Sequence, residues 1–271
     1  MTTRISGGLT DLKKDSRDFQ LEKLGGKRLQ LPSTFLLDEL DIENQDNTDY
    51  CTGFAITKAS EYQEGVKLDP LYQFCKTKQI KGEYKSWGAS LRDACKSAIR
   101  FGSLEQSKAP YTISNRRSEV ADWRNWDDEY DLYAQKHRKK SYFAVSGVGD
   151  TFEDIKHAIY EYKSPVMAGV KWRDEWIDGK DGVVPEIYSV DGGFGHAFIF
   201  IGWVIIKEAE FLVAHLSNGK NIGDSGKFYF SKNIVDREIG RYGIYCFVDI
   251  SPSDYKRDKW SRYQKIINFI I

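Results

Sequence analysis

The stretch NQDNTDYCTGFA, from Asn44 to Ala55, decides how this chain is read. A polar loop sets Gln45 six positions ahead of Cys51. An apolar helical pattern begins directly after the cysteine, with Phe54, Ala55, Ala59 and Tyr62 at near-helical spacing. Thr48 and Asp49 are the predicted N-caps of that helix. A thiol in a helix's first turn meets the positive end of the macrodipole and unpaired backbone N–H groups, both of which favour thiolate. Cys51 therefore reads either as a small core residue after a loop or as a nucleophile.

Working outward, the 271 residues carry a formal net charge of zero, with 41% apolar and 30% charged residues. That is the composition of an ordinary globular protein with room for a sizeable core. The balanced charge recruits neither nucleic acid nor an anionic membrane surface. No apolar core is present in the opening MTTRISGGLTDLKKDSRDF, and no run reaches membrane-spanning length. No signal peptide or transmembrane segment is expected, and a cytoplasmic location is the default. Four cysteines, at 51, 75, 95 and 246, show no Cys-x-x-Cys spacing. Neither a disulfide scaffold nor a metal site is predicted, and no cofactor is expected. Cys75 and Cys95 sit on helix-like apolar stripes and read as core thiols.

The two halves of the chain differ in pattern. Residues 1–35 are polar and predicted to form an extended N-terminal strap. SLRDACKSAIRFG reads as a helix capped by Ser90 and stopped at Gly102. Residues 112–140 are strongly charged and read as a solvated helical face. After the amphipathic DTFEDIKHAIYEY come short runs rich in Val, Ile, Phe and Tyr: PVMAGVKW, HAFIFIGWVII, EFLVAHL, GKFYFS and RYGIYCFVDI. Their Gly and Asp separators mark them as antiparallel strands. The predicted class is α+β, with a cleft between a helical part (about 45–140) and a strand-rich part (about 141–250) of one domain spanning 36–250. Residues 251–271 are expected to pack on that domain as a tail.

A thiol nucleophile needs an imidazole. Of four histidines, His137 lies in a charge run, His157 on an amphipathic helix, and His215 is expected to point outward from a strand. His196 stands apart, in GGFGHAFIFIGW, crowded by glycines that allow close backbone approach.

The chain resembles the papain-like cysteine peptidases, in particular microbial relatives. The resemblance rests on Asp15-Ser-Arg-Asp-Phe19, Gln45…Cys51-Thr-Gly-Phe-Ala55, Trp87-Gly-Ala-Ser-Leu-Arg-Asp93, Pro165-Val166, Gly195-His196-Ala197…Gly202-Trp203 and Gly223-Asp-Ser-Gly226, in the family's order. The 145 residues between Cys51 and His196 fit the family's separation of about 130–150. It implies a papain-like fold: a helical N-terminal subdomain and an antiparallel, barrel-like C-terminal one flanking the cleft. It also implies a thiol hydrolase that cleaves peptide bonds in peptide or protein substrates. Cys51 would be the nucleophile, with part of its surface open to the cleft, and His196 the base facing it. Gln45 and the Cys51 N–H would bind the oxyanion, while Trp87, Gly88, Ala89 and Gly195 would line the substrate groove.

Three departures qualify the resemblance. Asp49 and Tyr50 stand where the family has Gly-Ser, and Thr52 where it has Trp. The motifs begin almost at Met1, so no cleavable propeptide is expected. The family's orienting Asn is replaced by Leu216 in the ungapped register of AHLSNGKNIGDSG, and Asn218, two residues on, would have to swing in. These departures keep two other readings open: a papain-fold binding or structural module in a larger assembly, and a thiol acyltransferase.

Overall fold

The computed structural model describes residues 7–10, 30–38, 40–145, 150–177, 179–186 and 193–248. The tail expected at 251–271 lies outside the described residues, as does most of the expected strap. The helices are α1 (Cys51–Glu64), α2 (Pro70–Lys81), α3 (Leu91–Arg100), α4 (Arg117–Ala121), α5 (Asp128–Ala134), α6 (Thr151–Tyr162) and α7 (Lys232–Glu238). The strands are β1 (Phe35–Leu36), β2 (Ser141–Ala144), β3 (Val166–Trp172), β4 (Phe194–Ile206), β5 (Ala209–His215), β6 (Lys227–Ser231) and β7 (Ile244–Val248). No helix among the described residues is long and apolar enough to cross a membrane.

Local signals set most helix ends. Asp69 caps α2 by accepting from the Tyr72 N–H at 2.6 Å, with Pro70 at the first helical position. Ser90 caps α3 and Asp150 caps α6. The first helix departs from expectation. Neither Thr48 nor Asp49 caps it; Tyr50 holds the cap position without a side-chain hydrogen bond. Asp49 is instead bound to Arg117 of α4, and Thr48 bonds back to the Gln45 carbonyl.

The strands form one seven-stranded antiparallel sheet in the order β2-β7-β3-β4-β5-β6, with β1 also paired to β4. Alternation along β4 divides the interior. Phe198 and Phe200 enter a cluster with Trp172, Phe228, Phe230 and α6. Ala197, Ile199 and Ile201 face the other way, against Cys51, Ala55 and Ala59 of α1 and Ala94 and Ala98 of α3. A third cluster joins α1, α2, α4 and α5 around Phe74 and Trp126. Every residue of α1 from Cys51 to Glu61 is buried, because the helix lies between the sheet and α2.

Where α1 meets α2, a Cβ on Gly53 would fall 2.3 Å from the Pro70 carbonyl. Backbone cannot yield there as a side chain would. Gly53→Ala should therefore cost about 1–3 kcal/mol in urea unfolding, by forcing the helices apart. A loss below about 0.5 kcal/mol would show that α2 simply shifts.

Candidate active site

Cys51 opens α1, as its position after the polar loop predicts. Its sulfur meets the backbone N–H groups of Ala197, Gly8 and Thr52. It therefore lies against the start of β4 and against the N-terminal segment 7–10. The expectation of a partly open thiol is not met: Cys51 has 0% of its surface exposed. The cause is local, since Gly8 and Leu9 lie over it.

Burial pushes the Cys51 thiol up to about 11, helped by the nearby Asp49 charge and opposed by the N–H groups of Ala197 and Gly8. Desolvation outweighs the helix terminus here. Alkylation of Cys51 in the intact protein should therefore rise roughly tenfold per pH unit from pH 7 toward 11, because only thiolate reacts. Peptide mapping after iodoacetamide treatment reads this directly; a plateau near pH 8 would mean an open thiol. The sign for stability follows from the same shift. The folded thiol holds its proton more tightly than the unfolded one, so its contribution is complete below about pH 8.5 and is lost as pH rises toward 11.

His196 is buried at the start of β4, on the opposite strand face from Ala197. Its ring lies 5.8 Å from that of Trp172, edge-on, and 6.4 Å from that of Phe198. Among the described residues no hydrogen bond joins it to Cys51 or Asn218. Leu216 is buried in the same apolar cluster as Trp172 and Phe198. Asn218 pairs through its backbone with Asn44, and its buried Oδ1 has no hydrogen-bond partner among the described residues. Gly219, at φ +80°, makes the turn that an Asn-Gly pair commonly makes. Gln45 is buried before α1; its Nε2 donates to the Thr48 carbonyl at 2.9 Å and its Oε1 accepts from Ser217 Oγ at 2.6 Å.

Trp87, Gly88, Ala89 and Gly195, the residues expected to line a groove, come together around the segment 7–10. Trp87 is 57% exposed, and its Nε1 donates to the Gly7 carbonyl at 2.9 Å. Ala89 N–H donates to the Gly8 carbonyl at 2.6 Å, and Thr10 N–H to the Ala89 carbonyl at 3.0 Å. Leu9 N–H donates to the Gly195 carbonyl at 2.9 Å. Gly88, at φ +68°, passes so close to Gly8 that a Cβ would sit 1.7 Å from the Gly8 carbonyl oxygen.

Sequence reasoning missed what holds this wall. Asp49 is fully buried; Arg117 donates to it from Nε and Nη2, both at 2.8 Å, and the Gly88 N–H donates to it at 2.5 Å. Lys78 donates to the carbonyls of Ser86 and Gly88, each at 2.7 Å, and burial brings its pKa down to about 8. The charged stretch 112–140 is thus not wholly a solvated face, because Arg117 reaches inward. No local pattern marks a partner 68 positions away in the chain. His215 also departs from expectation. It is buried on the α1 side of the sheet and lines a small cavity of about 20 Å³, room for about one water, with Phe54, Ala55 and Ser217.

No protein-family model matches the sequence, and no curated protein shows significant similarity to it. Solved structures do match in fold. Xylellain, a cysteine protease from Xylella fastidiosa, is 18% identical; the match covers 90% of this chain and 96% of xylellain, with a TM-score of 0.73. The procathepsin B S9 of Trypanosoma congolense is 15% identical, over 90% of this chain and 86% of that one, at 0.65. A digestive procathepsin L2 from Tenebrio molitor larval midgut is 16% identical, over 86% and 74%, at 0.63. With helices and sheet packed across Cys51 and these neighbours in shape, the chain has the fold of the papain-like cysteine proteases.

Proposed function

We propose that the protein is a papain-like thiol hydrolase acting on peptide bonds. Cys51 Sγ attacks the carbonyl carbon, His196 takes the thiol proton and returns it to the leaving amine, and water then releases the acyl group from sulfur. Gln45 Nε2 and the Cys51 N–H are the oxyanion donors; Trp87, Gly88, Ala89 and Gly195 line the groove. The observation that carries this reading is the way residues 7–10 lie in that groove. An extended peptide pairs with Ala89 and Gly195 and passes its backbone against the Cys51 sulfur. Catalysis requires that this segment leave and that the imidazole approach the sulfur.

A second reading, an inert papain fold used to bind peptides, draws on one observation. Leu216 is buried in the same apolar cluster as Trp172 and Phe198, which flank His196, and Asn218 makes no hydrogen bond to the imidazole among the described residues. The experiment is to incubate the protein with unfolded protein substrates and map new N-termini, beside Cys51→Ala and His196→Ala. Cleavage that both substitutions abolish supports the hydrolase. Electrophile labelling of Cys51 without any cleavage assigns the protein to the binding class.

A further inference from the structure

We propose that Lys78 is a positioning residue for the groove assigned above: its side-chain nitrogen clasps the carbonyls of Ser86 and Gly88 from inside the wall, and so turns the Ala89 peptide edge toward the groove. The clasp stands on the fold; only its effect on substrate rests on that assignment.

Lys78 lies in the last turn of α2 and has no exposed surface. Its stem runs past Phe74, with Nζ 5.6 Å from the ring centre. Nζ lies 2.7 Å from the Ser86 carbonyl, 2.7 Å from the Gly88 carbonyl and 3.1 Å from Ser86 Oγ. The nearby carboxylates are engaged by other cations, Asp49 by Arg117 and Glu83 by Lys81.

Gly88 shows what the clasp does. With φ at +68°, its N–H donates to Asp49 at 2.5 Å while its carbonyl accepts from Lys78. Both of its polar groups are thus spent on the interior. The next residue turns the other way, since the Ala89 N–H and carbonyl both bond to segment 7–10. Ala89 is the part of the wall with which an extended chain pairs. Without Lys78 the buried Gly88 carbonyl loses its partner, unless the segment swings out and carries Ala89 with it.

The partners of Lys78 suit a neutral amine. Its N–H bonds serve the two carbonyls, and its lone pair takes the hydroxyl hydrogen of Ser86, whose oxygen accepts from Lys81 at 2.9 Å. Burial brings the Lys78 pKa down to about 8; Arg117 and Lys81 add to the drop, while Asp49 and Glu83 oppose it. Swinging out returns the amine to water and to its ordinary 10.5. Opening therefore takes up a proton and becomes rarer as pH rises from 8 toward 10.5. The wall tightens in alkali, the opposite of a clasp held by ammonium charge.

The test is limited trypsin digestion of the folded full chain. Mass spectrometry compares cleavage after Lys85 with cleavage after Lys207, an exposed residue in the turn between β4 and β5. Glu83, Arg117 and Lys78 hold the backbone around the Lys85–Ser86 bond, so cutting there requires the segment to open. In the parent the Lys85-to-Lys207 ratio should fall about tenfold from pH 7.5 to pH 9.5. Lys78→Met should show no such fall, and at pH 9.5 it should be cut after Lys85 about tenfold faster than the parent. A flat ratio in the parent, or a folded Lys78→Met cut like the parent at pH 9.5, overturns the proposal. Where Lys78→Met does not fold, the parent's pH series decides alone. Neither reading requires turnover. On peptide substrates at about pH 9, Lys78→Met should raise KM about tenfold and leave kcat within about twofold. A lower kcat at unchanged KM overturns the positioning role. No hydrolysis by the parent removes the hydrolase and leaves the clasp to the trypsin result.

Discussion

Cys51→Ala is expected to lower peptide hydrolysis by about 10⁴-fold or more while leaving the fold intact. Its sulfur is the only group in the proposed mechanism that forms a covalent bond to substrate, so no neighbour replaces it. The alanine methyl stays within the helix–sheet cluster that Cys51 shares with Ala55, Ile56 and Ala197. The removed atom is one buried sulfur, so stability should change by about 1 kcal/mol or less. The checks are a rate of new N-terminus formation and a thermal midpoint on the same preparation. Parent-level hydrolysis in the variant would sink the nucleophile assignment. A collapse of the midpoint would recast Cys51 as a packing residue.

The largest stability effect is expected from Arg117→Ala, a loss of about 3–5 kcal/mol. Asp49 has no exposed surface and takes two hydrogen bonds from this guanidinium. Without it a buried carboxylate loses its countercharge, and the remaining Gly88 N–H does not offset that. Arg117 also donates to the carbonyls of Tyr84 and Ser86 and lies 5.6 Å from the Trp87 ring centre, so the segment 84–87 loosens with it. The urea midpoint of the variant, measured beside Asp49→Asn/Arg117→Ala, separates the causes. The double variant should regain part of the loss because its buried group is neutral. A single-variant loss under about 1 kcal/mol would place the pair among screened surface bridges.

Much of this architecture could be read from residue order. The strands follow their β-branched and aromatic runs, and α3 and α6 follow their caps, because these signals act within a few residues. The placement of Cys51 at a helix start was legible for the same reason. What was not legible depends on contacts between distant segments. Asp49 does not cap α1 because it has a stronger partner in Arg117, and a bidentate ion pair outcompetes a local N–H. Strand alternation alone does not show which face of β5 is covered, and α1 covers the face that carries His215. Gly7-Gly8-Leu9 carries no local signal within a polar segment; its fit depends on Asp49, Phe194 and Gly169, which no short window contains. Leu216 in place of the expected Asn is visible in the sequence as a departure, and the side chain is buried in the apolar cluster that holds Trp172.

The strand order also has a consequence for synthesis. β7, residues 244–248, lies inside the sheet between β2 and β3, not at an edge. A nascent chain released from the ribosome only as far as residue 240 would expose the ladder groups of both neighbours, together with apolar faces that Tyr245 and Phe247 later cover. The helical half can gather early from near-neighbour contacts, but the joining of β2 to the rest of the sheet must wait for β7. Until then the open edges of β2 and β3 are templates for wrong partners. Production of this protein should therefore reward slow synthesis and low temperature more than any adjustment of its surface.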